Sequence, residues 1–305
     1  MTHSRAVFLM VLVTLLWSMA GVVTRHLDAA RGFEVTFWRS AFNAVALAVA
    51  LTVIRGPTLW RELLHSPRVV WVSGVCWSIM FTGFMMALTL TSVAKVLVMM
   101  ALAPLVTALF ARFFLHHRLP TRTWFAIAVG GLGIAWMFGQ EARAGVSLLG
   151  TLVALTVPIA AAVNFTTLQY VGHGSGDPDE VDGVPTQDML PAVLIGALIS
   201  AAVTLPLAWP LQASAHDIRL LGFLGVAQLA VPCLLVVRLS RVLPAPEIAL
   251  LGLLEVIFGV TWAWLGAGER PTDNTLVGGA LVLGALVFNE AMALHQQRSI
   301  AAAGV

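Results

Sequence analysis

The amino-acid sequence predicts an all-α integral membrane protein with ten transmembrane helices, arranged as two inverted five-helix repeats. Three observations carry this prediction: an extreme apolar composition, a series of long uncharged segments, and a repeat of one half of the chain in the other. Of the 305 residues, 59% are hydrophobic and 10% are charged, whereas a soluble protein carries roughly 25% charged residues. This composition excludes a cytosolic enzyme, a nucleic-acid-binding module and a disordered scaffold.

Ten segments are apolar enough and long enough to cross a bilayer, because a membrane-spanning helix needs about 20 apolar residues. Most connections between them are short and contain turn formers such as Gly56-Pro57. The apolar segments are continuous rather than alternating, which excludes a transmembrane β-barrel. In chain order they are residues 6–24, 37–54, 69–90, 93–115, 123–139, 146–170, 189–211, 220–237, 247–266 and 276–294.

The orientation follows from the basic residues. Arg5 precedes the first apolar segment as in a signal peptide, but the segment continues through Val23 and nine more follow, so we expect it to be retained. With the N-terminus inside, ten of the 17 lysines and arginines lie on the inner side and seven on the outer side. Both termini are therefore expected in the cytoplasm.

The longest connection, residues 171–188, contains five acidic residues and no lysine or arginine. This composition favours a solvated linker. Within it, Gly-Ser-Gly-Asp at 174–177 matches the GxGD pattern of intramembrane aspartyl proteases. Such a protease needs a second aspartate inside a membrane helix, and every aspartate here lies in a loop or at a helix end. We therefore expect no protease activity.

An internal repeat divides the chain. Residues 92–108 recur as residues 244–260, 152 positions later. After one skipped position, residues 117–121 correspond to 269–272. Five helices per half is an odd number, so the two halves insert with opposite orientations and form an inverted repeat. We expect the first repeat at residues 1–143 and the second at 144–305, with the acidic loop inside the second.

These motifs resemble the EamA repeat of the drug/metabolite transporter superfamily. The resemblance is carried by Gly-Glu-Arg-Pro-Thr at 268–272, the glycines at 278–284, Leu-Leu-Trp-Ser at 15–18, and Arg39. Two positions depart from the pattern: His117 stands where the first repeat usually has Glu, and Val256 stands where the second usually has Pro. The resemblance implies a secondary transporter of a bacterial inner membrane that works by alternating access. It is greatest to aromatic amino-acid exporters of the YddG type, which implies amino-acid export.

Ionisable residues inside the bilayer are candidates for function because inserting them is costly. Glu255 lies eight residues after Glu247, roughly 12 Å along a helix, which places it near the midplane. It could bind a substrate ammonium or a proton, or form a structural hydrogen bond between helices. Lys95 is the repeat equivalent of Glu247, and both could contact the substrate or extend to the interface. Arg39, early in the second segment, is expected to be an interfacial anchor.

Amides and indoles within the apolar segments complete the candidate site. The amides could line a wet cavity or join helices by hydrogen bonds. The tryptophans, including Trp262 and Trp264, lie away from the segment ends, so they could stack on an aromatic ligand or simply pack. The expected substrate-binding residues are Trp17, Asn43, Trp77, Lys95, Asn164, Gln228 and Glu255.

Three prolines are candidates for gating. Pro104, Pro158 and Pro232 fall inside predicted helices four, six and eight. Each removes one backbone donor and kinks its helix. Kinked helices are typical gating elements of inverted-repeat transporters.

The sequence favours neither an enzyme nor a cofactor-dependent protein. None of the eight histidines lies in the middle of a span, and no zinc-protease, nucleotide-binding or catalytic-triad motif occurs. We therefore expect no metal, no cofactor and no catalytic residue. The expected partners are a small-molecule substrate and the lipid bilayer, without nucleic acid, in a monomer or homodimer. Two alternatives stay open: an exporter of drugs or nucleotide-sugar-like metabolites on the same fold, and, less favoured, an intramembrane enzyme.

Overall fold

A computed structural model of the chain describes residues 3–114, 119–143, 148–173, 190–239, 242–243 and 245–302. The regular structure in these ranges is helical, and they contain no β-strand. In chain order the helices are α1 His3–Thr24, α2 Phe33–Arg55, α3 Thr58–Leu64, α4 Arg68–Leu90, α5 Val93–Ala101, α6 Ala103–Phe114, α7 Thr121–Arg143, α8 Leu149–His173, α9 Leu190–Ala208, α10 Ala215–Gly225, α11 Val231–Leu239, α12 Ala245–Gly252, α13 Leu254–Ala267 and α14 Asp273–Ala302. A π-helical turn, Val226–Ala230, joins α10 to α11.

Eight helical segments of the described chain have the length and composition needed to cross a membrane. A shorter apolar helix, Leu149–Asn164, lies within α8. A multi-pass, all-helical membrane protein is thus confirmed, while the number of ten spans stays a prediction. The eight segments are His3–Thr24, Phe33–Arg55, Arg68–Leu90, Val93–Phe114, Pro191–Ala208, Ala215–Val236, Leu250–Ala267 and Asp273–Gln296.

Two predicted spans are interrupted in the middle. The span predicted at 93–115 breaks at Leu102, between α5 and α6, and the span predicted at 247–266 breaks at Leu253, between α12 and α13. Pro104 follows the first break closely and cannot donate a hydrogen bond to the carbonyl four residues earlier. Gly252 precedes the second break, and glycine is a poor helix former. The two breaks occupy nearly equivalent positions of the internal repeat.

Three helices begin earlier than predicted and have an acidic residue in the first turn: α2, α10 and α14, of which α10 and α2 differ most. The predicted start at residue 220 is wrong, since α10 begins at Ala215 with a capping box between Ser214 and Asp217. The predicted start at residue 37 is also late, since α2 begins at Phe33 with Glu34 in its first turn. Negative side chains stabilise a helix N-terminus, so a search for uncharged segments cuts such helices short.

The helices approach one another closely at small residues, as expected when packing rather than hydrophobicity drives association in a membrane. α7 packs along α14, α2 along α9, and α4 along both α8 and α9. A Cβ atom on Gly133 of α7 would lie 2.6 Å from the carbonyl oxygen of Gly278 in α14. Any larger residue at Gly133 would therefore push these two helices apart.

One ion pair joins four helix ends. The Arg25 Nε atom lies 2.7 Å from Oε2 of Glu269, just after α13. Its two other nitrogens donate to the carbonyls of Leu88 and Thr91 at the end of α4, at 2.6 and 2.8 Å. Oε1 of Glu269 accepts the N–H of Val93, the first residue of α5, at 2.6 Å. We call these five residues the Arg25 latch.

Two further carboxylates tie loops to the same end of the bundle. Asp217 accepts hydrogen bonds from the backbone N–H groups of Asp28, Ala29 and Ala30, at 2.7 to 3.0 Å. Glu34 accepts the N–H groups of Gln212 and Ala213, both at 2.8 Å. The connection between α1 and α2 is thereby joined to α10, and the start of α2 to the loop before α10.

Some predicted features fall outside the described residues. These are the Gly-Ser-Gly-Asp motif at 174–177, most of the acidic loop at 171–188, and His117. The side chain of Glu247 is also outside them, although its backbone lies in α12.

Candidate functional site

A cavity of about 260 Å³ lies in the interior of the bundle. Its lining comes from α1, α2, α4, α5, α8, α13 and the segment from the π-helical turn into α11, so both halves of the chain contribute. We call it the central cavity. It is lined by Trp17, Arg39, Trp77, Met80, Phe81, Phe84, Met100, Val157, Gln228, Leu229, Cys233 and Glu255.

Arg39 is the most buried charge of the central cavity, with 2% of its surface exposed. Nη2 and Nε donate to Oε1 of Gln228 at 3.0 and 3.3 Å, and Nη1 has no hydrogen-bond partner. The guanidinium carbon lies 5.5 Å from the centre of the Phe84 ring, a cation–π contact. Arg39 is therefore not the interfacial anchor that the sequence predicted.

Gln228 is held by an unusual stretch of backbone. It lies in the π-helical turn, where the Val231 N–H bonds to the carbonyl of Val226, five residues earlier. Pro232 follows and cannot donate to the carbonyl of Gln228, four residues earlier, so a regular α-helix is already interrupted here. The Gln228 side chain donates to the carbonyl oxygen of Trp17 at 2.9 Å. One amide thus joins α1 and α2 across the cavity, as π-helical turns at functional sites often allow.

The close approach of α2 to α10 fixes the position of Arg39. A Cβ atom on Gly225, the last residue of α10, would lie 2.7 Å from the carbonyl oxygen of Arg39 and 2.9 Å from the backbone nitrogen of Asn43. Only glycine allows this crossing without displacing α2. Gly225 directly precedes the turn that contains Gln228, so the same crossing positions both partners of the Arg39–Gln228 pair.

Glu255 comes from the second half of the chain and, like Arg39, lines the central cavity. It is the second residue of α13, directly after the break at Leu253. No hydrogen bond joins Arg39 to Glu255: Nε and Nη2 donate to Gln228, and Nη1 has no partner. Glu255 and Met100 also line a second cavity of about 190 Å³ that lies between the two helix breaks. A carboxylate therefore connects the central cavity with the region where both spans are interrupted.

The rest of the central cavity is aromatic or apolar. The rings of Trp77 and Phe81 lie 5.5 Å apart, and Nε1 of Trp77 has no hydrogen-bond partner. Trp17 and Phe84 supply further rings, and Met80 is half-buried among the lining residues. This lining suits a ligand with an apolar or aromatic body and a few polar groups.

The sequence-predicted residues divide into two groups. Trp17, Trp77, Gln228 and Glu255 come together in the central cavity. Asn43, Asn164 and Lys95 do not line it. Asn43 and Asn164 are fully buried and neither amide has a hydrogen-bond partner, while Lys95 is half-buried in the first turn of α5.

The remaining tryptophans and prolines also have defined places. Trp262 and Trp264 are 39% and 50% exposed on α13, so both face outward. Pro104 lines the second cavity at the start of α6. Pro158 is buried inside α8, and Pro232 is buried directly after the π-helical turn.

The sequence analysis did not predict Arg39 as a cavity residue, although an arginine inside a membrane helix indicates such a role. Inserting arginine into a membrane helix is costly, and such a residue normally faces the interior of the bundle or a cavity. The early position of Arg39 in the predicted segment outweighed that signal. The helix in fact begins four residues earlier, at Phe33, so Arg39 lies deeper than predicted.

The fold and the site together define a multi-pass helical membrane protein with a charged and aromatic cavity in its interior, an architecture typical of membrane transporters. Residues 4–139 match the model of the EamA-like transporter family, so this part of the chain is similar to that family. This match points to a transporter rather than an enzyme.

Relatives along the whole chain are more distant. The chain is 21% identical over 285 residues to the pseudopaline exporter CntI of Pseudomonas aeruginosa, across 92% of this chain and 94% of that protein. The same protein from a second strain of that species gives the same figures. A protein of known crystal structure superposes with a TM-score of 0.62 at 19% identity, over 96% of this chain and 99% of that one. This superposition supports the fold along nearly the full length.

Proposed function

We propose that the protein is a secondary transporter that exports amino acids, with aromatic ones favoured, or similar small metabolites across the bacterial inner membrane. The observation that carries this proposal is the central cavity, which combines the Arg39 guanidinium and the Glu255 carboxylate with four aromatic rings. Charges of opposite sign beside an apolar body match the groups of a zwitterionic amino acid. Burying them inside a membrane protein is costly without a function that uses them.

The arrangement of the helices supports two inverted repeats of five spans each, at residues 1–143 and 144–305. In the two repeats α1 corresponds to α8, and α6 corresponds to α13. α1 packs against α13 and α8 packs against α6, so the same contact occurs twice with the halves exchanged. The breaks at Leu102 and Leu253 are a further pair of related features. In such transporters, interrupted helices beside the substrate site are typical gating elements.

Alternating access requires that one end of the bundle opens while the other is closed. The Arg25 latch holds together the ends of α1, α4, α5 and α13. With both termini in the cytoplasm, this is the outer end, so the latch would have to open before a substrate leaves the cell. Pro104 and Pro232 lie at interruptions of their helices and are suited to the rocking motion, and Pro158 provides a third such position in α8.

The size of the cavity favours small substrates. Pockets for drug-sized ligands usually measure about 300 to 1,000 Å³, and the central cavity measures about 260 Å³. A cavity near the lower end of this range is suited to a substrate of the size of an amino acid. The relative from Pseudomonas aeruginosa, the pseudopaline exporter, is also an exporter. Only the direction of transport is extended to this chain.

Counterflow in proteoliposomes tests the proposal. The purified protein is reconstituted and preloaded with unlabelled compound, and entry of labelled amino acids, sugars and cationic drugs is followed. We expect labelled aromatic amino acids to enter faster than in protein-free vesicles. If drugs or nucleotide sugars exchange and amino acids do not, the second candidate function replaces the first. If nothing exchanges, the transporter proposal is lost. Size-exclusion chromatography of the same sample distinguishes a monomer from a homodimer.

A further inference from the structure

We propose that Arg39 binds the carboxylate of the transported substrate, so that this residue restricts the substrate class to organic carboxylates. The inference rests on the proposed transport function and deepens it. Neither the internal repeat nor the family match assigns a role to Arg39. The hydrogen bonds of Arg39, its burial and its neighbours all point to this role.

The hydrogen bonds of Arg39 leave much of its guanidinium unused. A guanidinium has five N–H donors. Nε and Nη2 each use one of them on a single acceptor, Oε1 of Gln228, and Nη1 has no partner. Three donors therefore stay unused, and two nitrogens side by side, Nη1 and Nη2, both carry at least one. This edge matches the two oxygens of a carboxylate, which arginine binds in a bidentate manner.

Electrostatics point to the same ligand. Arg39 is 2% exposed, and its hydrogen-bond acceptor is a neutral amide. Glu255 lines the same cavity but accepts no hydrogen bond from Arg39, so no carboxylate is bound directly to the guanidinium. A buried charge whose donors are incompletely paired is unfavourable, and an anionic ligand bound to the free nitrogen edge would reduce this penalty. By comparison, Nε of Arg25 lies 2.7 Å from a carboxylate oxygen of Glu269. Arg39 is thus buried and charged but lacks the carboxylate that Arg25 has.

The residues around Arg39 restrict the chemical class of the ligand further. Phe84 covers the guanidinium at 5.5 Å, and the other rings of the central cavity offer an apolar surface. Glu255 on the same cavity would repel a second anionic group and attract an ammonium group. The best-matched ligand therefore has one carboxylate, one amino group and an apolar or aromatic side chain. Its carboxylate would lie on Arg39 and its ammonium toward Glu255.

Three related compounds separate these contributions. Phenylalanine carries both charged groups, 3-phenylpropionate lacks the ammonium and phenethylamine lacks the carboxylate. Binding to the purified protein is measured as a rise in the thermal unfolding temperature with ligand concentration, and transport is measured by counterflow. We expect phenylalanine to bind most tightly, 3-phenylpropionate more weakly, and phenethylamine roughly 10- to 100-fold more weakly than phenylalanine.

Two variants and one control assign the preference to Arg39. R39Q should remove the preference for carboxylates, so that phenylalanine and phenethylamine bind equally weakly. R39K keeps the charge without the two-nitrogen edge and should show an intermediate preference. R219Q is the control, because Arg219 is exposed on α10 and lies outside the cavity. Its preference should equal that of the unmodified protein.

The outcomes separate the inference from the function it depends on. If none of the compounds, and none of the wider panel, exchanges in the unmodified protein, the proposed function fails. If amino acids exchange but R39Q keeps the full preference for carboxylates, Arg39 is a structural residue and the inference is overturned. Should R39Q fail to fold, R39K decides alone: an unchanged ratio between phenylalanine and phenethylamine overturns the inference, and a reduced ratio supports it.

Discussion

Arg25 and Arg39 are both drawn into the helix bundle, but their guanidinium groups meet different partners. Every nitrogen of Arg25 has an acceptor: a carboxylate oxygen of Glu269 and the carbonyls of Leu88 and Thr91. Arg39 has one neutral acceptor, the side chain of Gln228, for two of its nitrogens and none for the third. The better-satisfied arginine is also the more exposed, at 28% of its side chain against 2% for Arg39.

This difference separates a structural charge from a charge available to a ligand. In the Arg25 latch, the cation lies at the C-terminal end of α4 and the anion at the N-terminal end of α5, which is the arrangement that helix dipoles favour. The latch therefore satisfies itself within the chain. Arg39 has an opposite charge, Glu255, in the same cavity but no carboxylate hydrogen-bonded to its guanidinium, so its free nitrogen edge is open to a ligand. Arg25 and Arg39 are the same residue type, and what indicates that Arg39 can bind a substrate is its unused hydrogen-bond donors.

The strongest test converts Arg39 into a residue like Arg25. The substitution Q228E places a carboxylate where the neutral acceptor now lies. It should occupy the guanidinium as a substrate carboxylate would and lower counterflow about 100-fold. The thermal unfolding temperature should change little, because the gain at Arg39 is offset by the loss of the hydrogen bond that Gln228 donates to the Trp17 carbonyl. The new charged hydrogen bonds correspond to about 1.5–3 kcal/mol. Counterflow and thermal unfolding on one preparation measure both effects.

A matched substitution controls for this change. Arg122 donates to the side chain of Gln296 at an exposed site, so Q296E makes the same kind of arginine–carboxylate pair outside the cavity. Exposed ion pairs contribute little, about 0–1 kcal/mol, and transport should be unchanged. Counterflow by Q228E at the rate of the unmodified protein would show that the Arg39 edge is not occupied during transport.

The second test breaks the Arg25 latch. R25A leaves the Glu269 carboxylate and two carbonyl groups without their donors, so we expect the free energy of unfolding to fall by about 1–3 kcal/mol. Reversing the pair, with R25E and E269R together, should not restore stability. The acid would then face the carbonyl groups of α4 and the base the first N–H of α5, against both helix dipoles.

Thermal unfolding in detergent measures the effect of each latch variant. R270A is the control, because Arg270 is exposed and adjacent to Glu269 in sequence. Stability of the reversed pair equal to that of the unmodified protein would mean that Coulomb attraction alone, without the helix ends, holds the latch.

The position of a residue within its apolar segment predicted some members of the site and missed others. The helical rise per residue predicted Glu255 inside its span, and the distance to the segment ends did the same for Trp17 and Trp77; all three line the central cavity. The depth of Arg39 was not predicted, because the predicted helix began after Glu34. Glu34 is compatible with an earlier start because two backbone N–H groups satisfy its carboxylate. That contact joins residues 178 and 179 positions apart, and no local pattern reveals it.

The rotation of each helix about its axis was harder still to predict. A soluble helix shows an apolar and a polar face, but a membrane helix is apolar all round, so Asn43 and Asn164 could not be oriented from sequence. Both amides are buried outside the lining of the central cavity. The start of α10, by contrast, was predictable: Ser214 followed three residues later by Asp217 is a capping motif. The search for uncharged segments passed over it.

The third test concerns Glu255, the carboxylate of the central cavity. If the Glu255 carboxylate exchanges protons during transport, E255Q should flatten the dependence of flux on pH, because glutamine does not titrate. Flux by the unmodified protein and by E255Q is measured from mildly acidic to mildly alkaline pH. E290Q is the control, since the Glu290 carboxylate accepts a hydrogen bond from Asn289 on α14, away from the cavity lining. Identical profiles for all three proteins would make Glu255 a binding or structural residue without a role in proton coupling.

The smallest effect is expected at the break between α5 and α6. Replacing Pro104 with alanine supplies a backbone N–H that can bond to the carbonyl of Met100, four residues earlier, and so favours a continuous helix. Pro104 is the second residue of α6, where proline is well tolerated, so stability should change by less than about 1 kcal/mol. If the break opens and closes the second cavity beside Glu255, counterflow should slow several-fold while affinity for the substrate stays the same. P206A is the matched control, because Pro206 lies inside α9 and lines neither cavity. An equal change in both variants would assign the effect to helix stiffness in general. A slower rate in P104A alone would assign it to the break at Leu102, which lies beside the second cavity lined by Met100 and Glu255.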